Sequence, residues 1–169
     1  MLARTGIETN MTVNIKRFRN QRGFNLIELM IVIAIIGLLI AVGGWGWAAM
    51  MRAGNESAAG QMVGKIRVWQ GQYAARNKGN FGKFDDLIRV VGMDDSFKGE
   101  EPVVNGYKFT MVVEPGGPSR PAFYSVNADP LVSEGVTATG TSHFYTDSSL
   151  GTIRRTDENR PAKADDPSL

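Results

Sequence analysis

The sequence predicts an α+β protein: a long N-terminal helix, its first half transmembrane and its second half amphipathic, packed on a small antiparallel sheet of three to four strands. Three observations carry this. From Leu29 to Met51 the chain runs 23 residues without a charge, long enough to cross a hydrocarbon core of ~30 Å. After Arg52, apolar residues Met62, Ile66, Trp69 and Tyr73 recur at helical spacing among Gln61, Lys65, Arg67, Gln70 and Gln72. From Tyr107 the period changes to two: Tyr107, Phe109, Met111 and Val113 alternate with Lys108, Thr110 and Val112.

Six segments follow in order. Residues 1–23 form a basic leader, with Met11 as an alternative start. Residues 24–51 are the apolar helix, and 52–77 its amphipathic continuation. Unbroken from Phe24, this helix would span about 80 Å at 1.5 Å per residue. Residues 78–102 are a Gly- and Asp-punctuated connection holding a short helix near 85–91, capped by Asp85 or Asp86. Residues 103–156 hold the sheet, with strands expected at 107–113, 122–128, 142–146 and 151–155. The first of these ends at Glu114-Pro115-Gly116-Gly117. The tail, 157–169, is charged and proline-bearing, so its end is expected to fray.

Charge distribution narrows the function classes. Of 19 Lys and Arg, five (Arg4, Lys16, Arg17, Arg19 and Arg22) precede residue 24, and the remainder of the chain carries 14 basic against 16 acidic residues. A basic nucleic-acid footprint is therefore missing from the body of the protein, and no nucleic-acid binding is expected. Lys16, Arg17, Arg19 and Arg22 before the apolar run place the N-terminus in the cytoplasm and everything after Arg52 outside.

Catalytic and metal chemistry find little footing, and no cofactor is expected. With no cysteine there is neither a disulfide framework nor a thiolate. His143, the single histidine, reads as a strand-surface residue. Asp94, Asp95, Glu100 and Glu101, or Asp147 with Asp157 and Glu158, could gather around calcium, but neither set has the ligand spacing of an EF-hand and both read as solvated surface. Ser125, Ser142 and Ser148 have no accompanying nucleophile motif. The chain is not expected to be an enzyme.

The informative residues sit before the apolar run, where Arg22-Gly23-Phe24-Asn25-Leu26-Ile27-Glu28-Leu29-Met30 places a glycine at the cytoplasmic face, then an aromatic, then a lone carboxylate. An ordinary secretory signal has its small residues after the apolar region, which the cut removes. The segment resembles the processing site of the type IV pilin family, which includes the pseudopilins of type II secretion. The likeness is close over about 22–42 and looser in the helix-then-sheet order beyond. It implies a pilin-like fold, cleavage between Gly23 and Phe24 by a prepilin peptidase, and N-methylation of Phe24 by the same class of enzyme. It also implies an inner-membrane subunit pool that an assembly platform of a pilus or a type II secretion system polymerises into a homo-oligomeric filament, in the periplasm or at the cell surface.

Glu28 carries a physical argument of its own. A carboxylate in hydrocarbon costs at least ~2.5–3.5 kcal/mol, so it should have a partner. The resemblance supplies one in the free amine of Phe24 on a neighbouring subunit, which would set the axial register of adjacent helices; the alternative is solvation in the headgroup region. Helical glycines also call for a reason, since each costs roughly 0.5–1 kcal/mol relative to alanine. Gly43, Gly44 and Gly46 flank Trp45 where the family often has a proline, and are candidates for local helix loosening in the filament. Trp45 and Trp47 read equally as belt residues at the outer interface. Gly60 and Gly64 have a spacing that admits a second backbone, or they face the domain's own sheet.

The reading is thus a pilin of a type IV pilus, with a type II secretion pseudopilin as the alternative. The 144–155 segment, FYTDSSLGTIRR, is similar to C-terminal hairpins of some pilins, whereas the C-terminal disulfide loop common among major pilins is missing. From other classes, a non-polymerising single-pass anchored module and a domain secreted by cleavage near Ala41-Val42-Gly43 remain open.

Overall fold

The computed structural model describes residues 24–169. The expected leader, 1–23, and with it Gly23, lies outside the described residues. Two units divide between Leu39 and Ile40, and one helix, α1 (Leu26–Arg76), contributes to both. In the first unit every described residue is exposed, including Leu26, Ile33 and Leu38.

In the second unit the later half of α1 becomes amphipathic. Ala59, Val63, Ile66 and Gln70 form its buried line, while Met62, Trp69 and Tyr73 pack at its margins. Gln70, expected among the outward polar residues, is fully buried. Its Nε2 donates to the Gly82 carbonyl (2.6 Å) and its Oε1 accepts from the Gly82 N–H (3.0 Å), so both ends of the amide are satisfied. After α1 ends at Arg76, Lys78 and Gly79 turn the chain at positive φ, with the Gly79 N–H returning to the Ala74 carbonyl (2.9 Å).

The connection folds into α2 (Phe84–Val91) and a 3₁₀ turn (Asp95–Phe97). α2 starts one residue earlier than expected, and its cap is Lys83, not Asp85 or Asp86. Phe84 is drawn inward against Phe97, which brings the first turn forward. Asp86 instead reaches back to accept the Lys83 N–H (3.3 Å), and Asp85 accepts from the Gly99 N–H (3.2 Å). Gly92, at φ 75°, closes the helix in the left-handed conformation that a side chain disfavours.

Five strands, not three to four, form the sheet: β1 (Val103–Val104), β2 (Tyr107–Glu114), β3 (Phe123–Pro130), β4 (His143–Asp147) and β5 (Arg154–Thr156). They run antiparallel in sequence order. β1 is only two residues long and has no periodicity to read. In β2 the alternation holds, with Tyr107 and Phe109 buried. In β3 the inward set is Tyr124, Val126 and Ala128, and Phe123 belongs to the other phase. Tyr124 meets the edge of Phe81 (ring centroids 4.6 Å apart), and burial pushes its phenol up to about 12.

Phe97 links the layers. It is fully buried and stands 5.9 Å from Phe84 and 5.0 Å, edge-on, from Phe109. Phe97→Ala is therefore expected to cost about 3–5 kcal/mol, read as a lowered thermal midpoint of the full chain in detergent.

The tail does not fray. Ala162 and Asp166 are buried, the Arg155 N–H donates to the Pro167 carbonyl and the Leu169 N–H to that of Ile153, both at 2.9 Å. Charges that looked like solubilising surface serve as a clasp. Asp166 accepts from Arg160 Nη2 (2.6 Å), Arg160 Nη1 (2.9 Å) and the Lys163 N–H (2.7 Å). The Arg160 bonds first, then the Lys163 amide, hold its carboxyl at about 2. Because the folded value lies below the ordinary 3.8, the clasp contributes fully above that value and is lost as pH falls through about 2. Protection of the Arg155 and Leu169 amides against hydrogen exchange, relative to their intrinsic rates, should fall over that acid window, and Asp166→Asn should show the lower protection already at neutral pH.

Candidate functional site: the N-terminal helix segment

The site begins at Phe24, which is 84% exposed. Asn25 starts the helix: its Oδ1 accepts from the Ile27 N–H (3.2 Å), and its carbonyl from the N–H groups of Glu28 (2.9 Å) and Leu29 (3.2 Å). Glu28 thus stands three residues after the cap, in the first turn, where the helix dipole favours a negative charge. It is exposed, and among the described residues no ion pair reaches it. Asn25 thus positions the first turn that carries Glu28. Its signal was present, because Asn-x-x-Glu before an apolar run is the spacing of a capping box.

Beyond Glu28, α1 is a helix long and apolar enough to cross a membrane. Its apolar side chains up to Leu39 are all exposed, a continuous surface well beyond the patches normal on a soluble monomer. Gly43, Gly44 and Gly46 lie within the unbroken helix. A methyl group added at Gly43 or Gly46 would meet nothing within 4 Å, so the domain itself makes no demand for glycine at either position.

Gly60 and Gly64 differ. A Cβ at Gly60 would stand 3.5 Å from the Phe144 ring and 3.8 Å from Leu169, and one at Gly64 would stand 3.6 Å from Ile153. This pair faces the domain's own sheet and tail, the second of the two options that its spacing left open.

His143 is buried, not a strand-surface residue. Its Nδ1 bonds Asp129 Oδ1 at 2.6 Å, an ion pair across the sheet whenever the ring is protonated. Asp147 spends its Oδ1 on the Ser149 N–H and hydroxyl (both 2.7 Å) and the Leu150 N–H (3.0 Å), closing the β4–β5 turn. Burial raises the Asp147 carboxyl, but these bonds and the Tyr145 hydroxyl leave it below its ordinary value. Asp94 similarly caps the 3₁₀ turn through the Ser96 N–H (2.8 Å). Among the described residues no three His, Asp or Glu side chains gather to hold a metal.

A long N-terminal helix followed by a five-stranded antiparallel sheet is a pilin-like α+β architecture. Residues 18–44 match the prokaryotic N-terminal methylation motif, the prepilin signature of type IV pilins and pseudopilins. That motif implies processing by a prepilin peptidase and assembly into pilus-like polymers, and with the apolar helix it points to membrane anchoring. Neither the curated proteins nor the solved structures yield a match to this chain.

Proposed function

We propose that the chain is a structural subunit of a type IV pilus, cut between Gly23 and Phe24, methylated at Phe24, and polymerised through α1. The observation that carries this reading is the methylation motif placed at the start of a helix whose apolar surface has no partner within its own unit. Lateral association with copies of itself would cover that surface, first in the bilayer and then in the filament. In the precursor the N-terminus lies in the cytoplasm and the sheet domain outside, following the basic residues before the apolar run.

In this account Glu28 pairs with the Phe24 amine of an adjacent subunit. Such a buried pair sets register more than it adds stability. Gly43, Gly44 and Gly46 would let α1 loosen or pack closely in the filament, a role that the open surroundings of Gly43 and Gly46 in the subunit leave available. Gly60 and Gly64 pack inside the subunit instead.

Electron microscopy of material sheared from cells is the test. Thin surface filaments containing this chain are expected. Filaments confined to the periplasm would mark a pseudopilin, and a chain that stays dispersed in the membrane would mark a simple anchor.

A further inference from the structure

One loop of the domain is fastened to α1 at the turn where charge first returns to the helix. Arg52 ends the uncharged run, and its Nη2 donates to the carbonyls of Gly135 (3.0 Å) and Val136 (3.4 Å). One turn on, Asn55 Nδ2 donates to the Thr139 carbonyl (3.0 Å). Glu56 Oε1 accepts from the Thr141 N–H (2.7 Å) and hydroxyl (2.9 Å). The loop is also closed on itself by the Thr139 N–H on the Val132 carbonyl (2.8 Å), and tied to the β1–β2 turn by the Leu131 N–H on the Gly106 carbonyl (2.9 Å). It is therefore a fixed structure, not a slack connection.

Three apolar side chains stand out from this loop. Val136 is 80% exposed, Leu131 54% and Val132 41%. Glu134 and Thr137 are exposed beside them, with Ser133 Oγ donating to Asn159 Oδ1 (2.8 Å) and Asn159 Nδ2 donating to Glu134 Oε1 (3.1 Å). On the stretch of α1 just before Arg52, in the same unit, Trp47, Met50 and Met51 are likewise exposed.

We infer that the loop 131–139 is an interfacial foot, resting in the headgroup layer of the bilayer that anchors the subunit, with Val136 and Leu131 against the acyl boundary. This rests on the membrane-anchored reading above. The 23 uncharged residues 29–51 cover about 34 Å at 1.5 Å per residue, close to the hydrocarbon thickness of ~30 Å. Arg52 therefore lies at the outer edge of the hydrocarbon. The carbonyls of Gly135 and Val136, held by its guanidinium, lie at the same level. Trp47 sits slightly deeper, as an interfacial aromatic does. Lipid is favoured over a second protein copy because the loop adjoins the point where the helix itself leaves lipid.

The chain has no cysteine, so a single introduced one can carry a nitroxide. Val136→Cys, Ser119→Cys in the turn at the far end of β2 and β3, and Ile36→Cys in the apolar run would be labelled in the full chain. Each is reconstituted in vesicles of phosphatidylcholine and phosphatidylglycerol, and collision with oxygen and with a water-soluble nickel chelate is measured. The Ile36 label should be oxygen-rich and nickel-poor. Nickel collision at Val136 should be at least about threefold below that at Ser119, as for a side chain at the headgroup boundary. Equal nickel access at Val136 and Ser119, with Ile36 in lipid, overturns the foot and leaves the anchor intact. Water-like access at Ile36 overturns the anchored reading and the foot with it. Dipolar broadening at Val136 that vanishes on dilution with unlabelled chain identifies a second copy as the occupant and overturns the lipid assignment.

Discussion

Gly23→Val is expected to abolish maturation outright. Residues 1–23 would stay on the chain, the protein would accumulate in the membrane, and no filament would form. A glycine next to a scissile bond allows the backbone to enter a protease cleft in conformations that a Cβ excludes. The apolar helix follows directly, so no alternative site lies within reach at the same depth. Gly23→Ala tests the same point with the smallest possible addition. Intact-mass measurement of the membrane fraction reads the outcome, and a Gly23→Val chain that still begins at Phe24 would contradict it.

The second large effect is at Glu28. Glu28→Ala should be cut and methylated normally, yet fail to assemble. Removing one member of a buried ion pair strands the other, at about 3–5 kcal/mol. For each subunit added, that is a loss of about a hundredfold or more in the association constant. The structure adds a competing role, because Glu28 stands at the third helical position after the Asn25 cap. Glu28→Gln separates the two. Glutamine serves equally in a capping box but carries no charge, so restored filament yield in Glu28→Gln assigns Glu28 to the helix start. Continued failure with normal processing assigns it to the pair with Phe24.

α1 was legible in the sequence because its two halves are each written in a local pattern: a charge-free run, then apolar residues at helical spacing. β2 was legible for the same reason, by strict alternation. What escaped depends on partners distant in sequence. Gln70 looks like a surface residue until Gly82 satisfies its amide. His143 is inside because Asp129, opposite it on the neighbouring strand, gives its ring a bond. The tail reads as frayed because its composition is polar, and only folding docks it on the sheet through the Arg155–Pro167 and Leu169–Ile153 bonds. Phe123 and Tyr124 are adjacent aromatics, and which of them faces α1 is a matter of strand phase that a single residue of slip inverts.

The motif around the candidate site was legible because it is contiguous in sequence. Gly23, Phe24 and Glu28 fall within the stretch matched by the methylation motif. The fold contributes the Asn25 cap and the open surroundings of Gly43 and Gly46. It also places Gly60 and Gly64 against the domain's own sheet and tail, one of the two options their spacing left open.

Mass spectrometry of the N-terminal peptide from the purified, assembled protein bears most directly on the account. It should find Phe24 as the first residue, carrying one methyl group on its amine, with the whole apolar run still attached. A mature chain that starts after Val42, or one that keeps Met1, contradicts the claim that the helix is retained and matured for assembly.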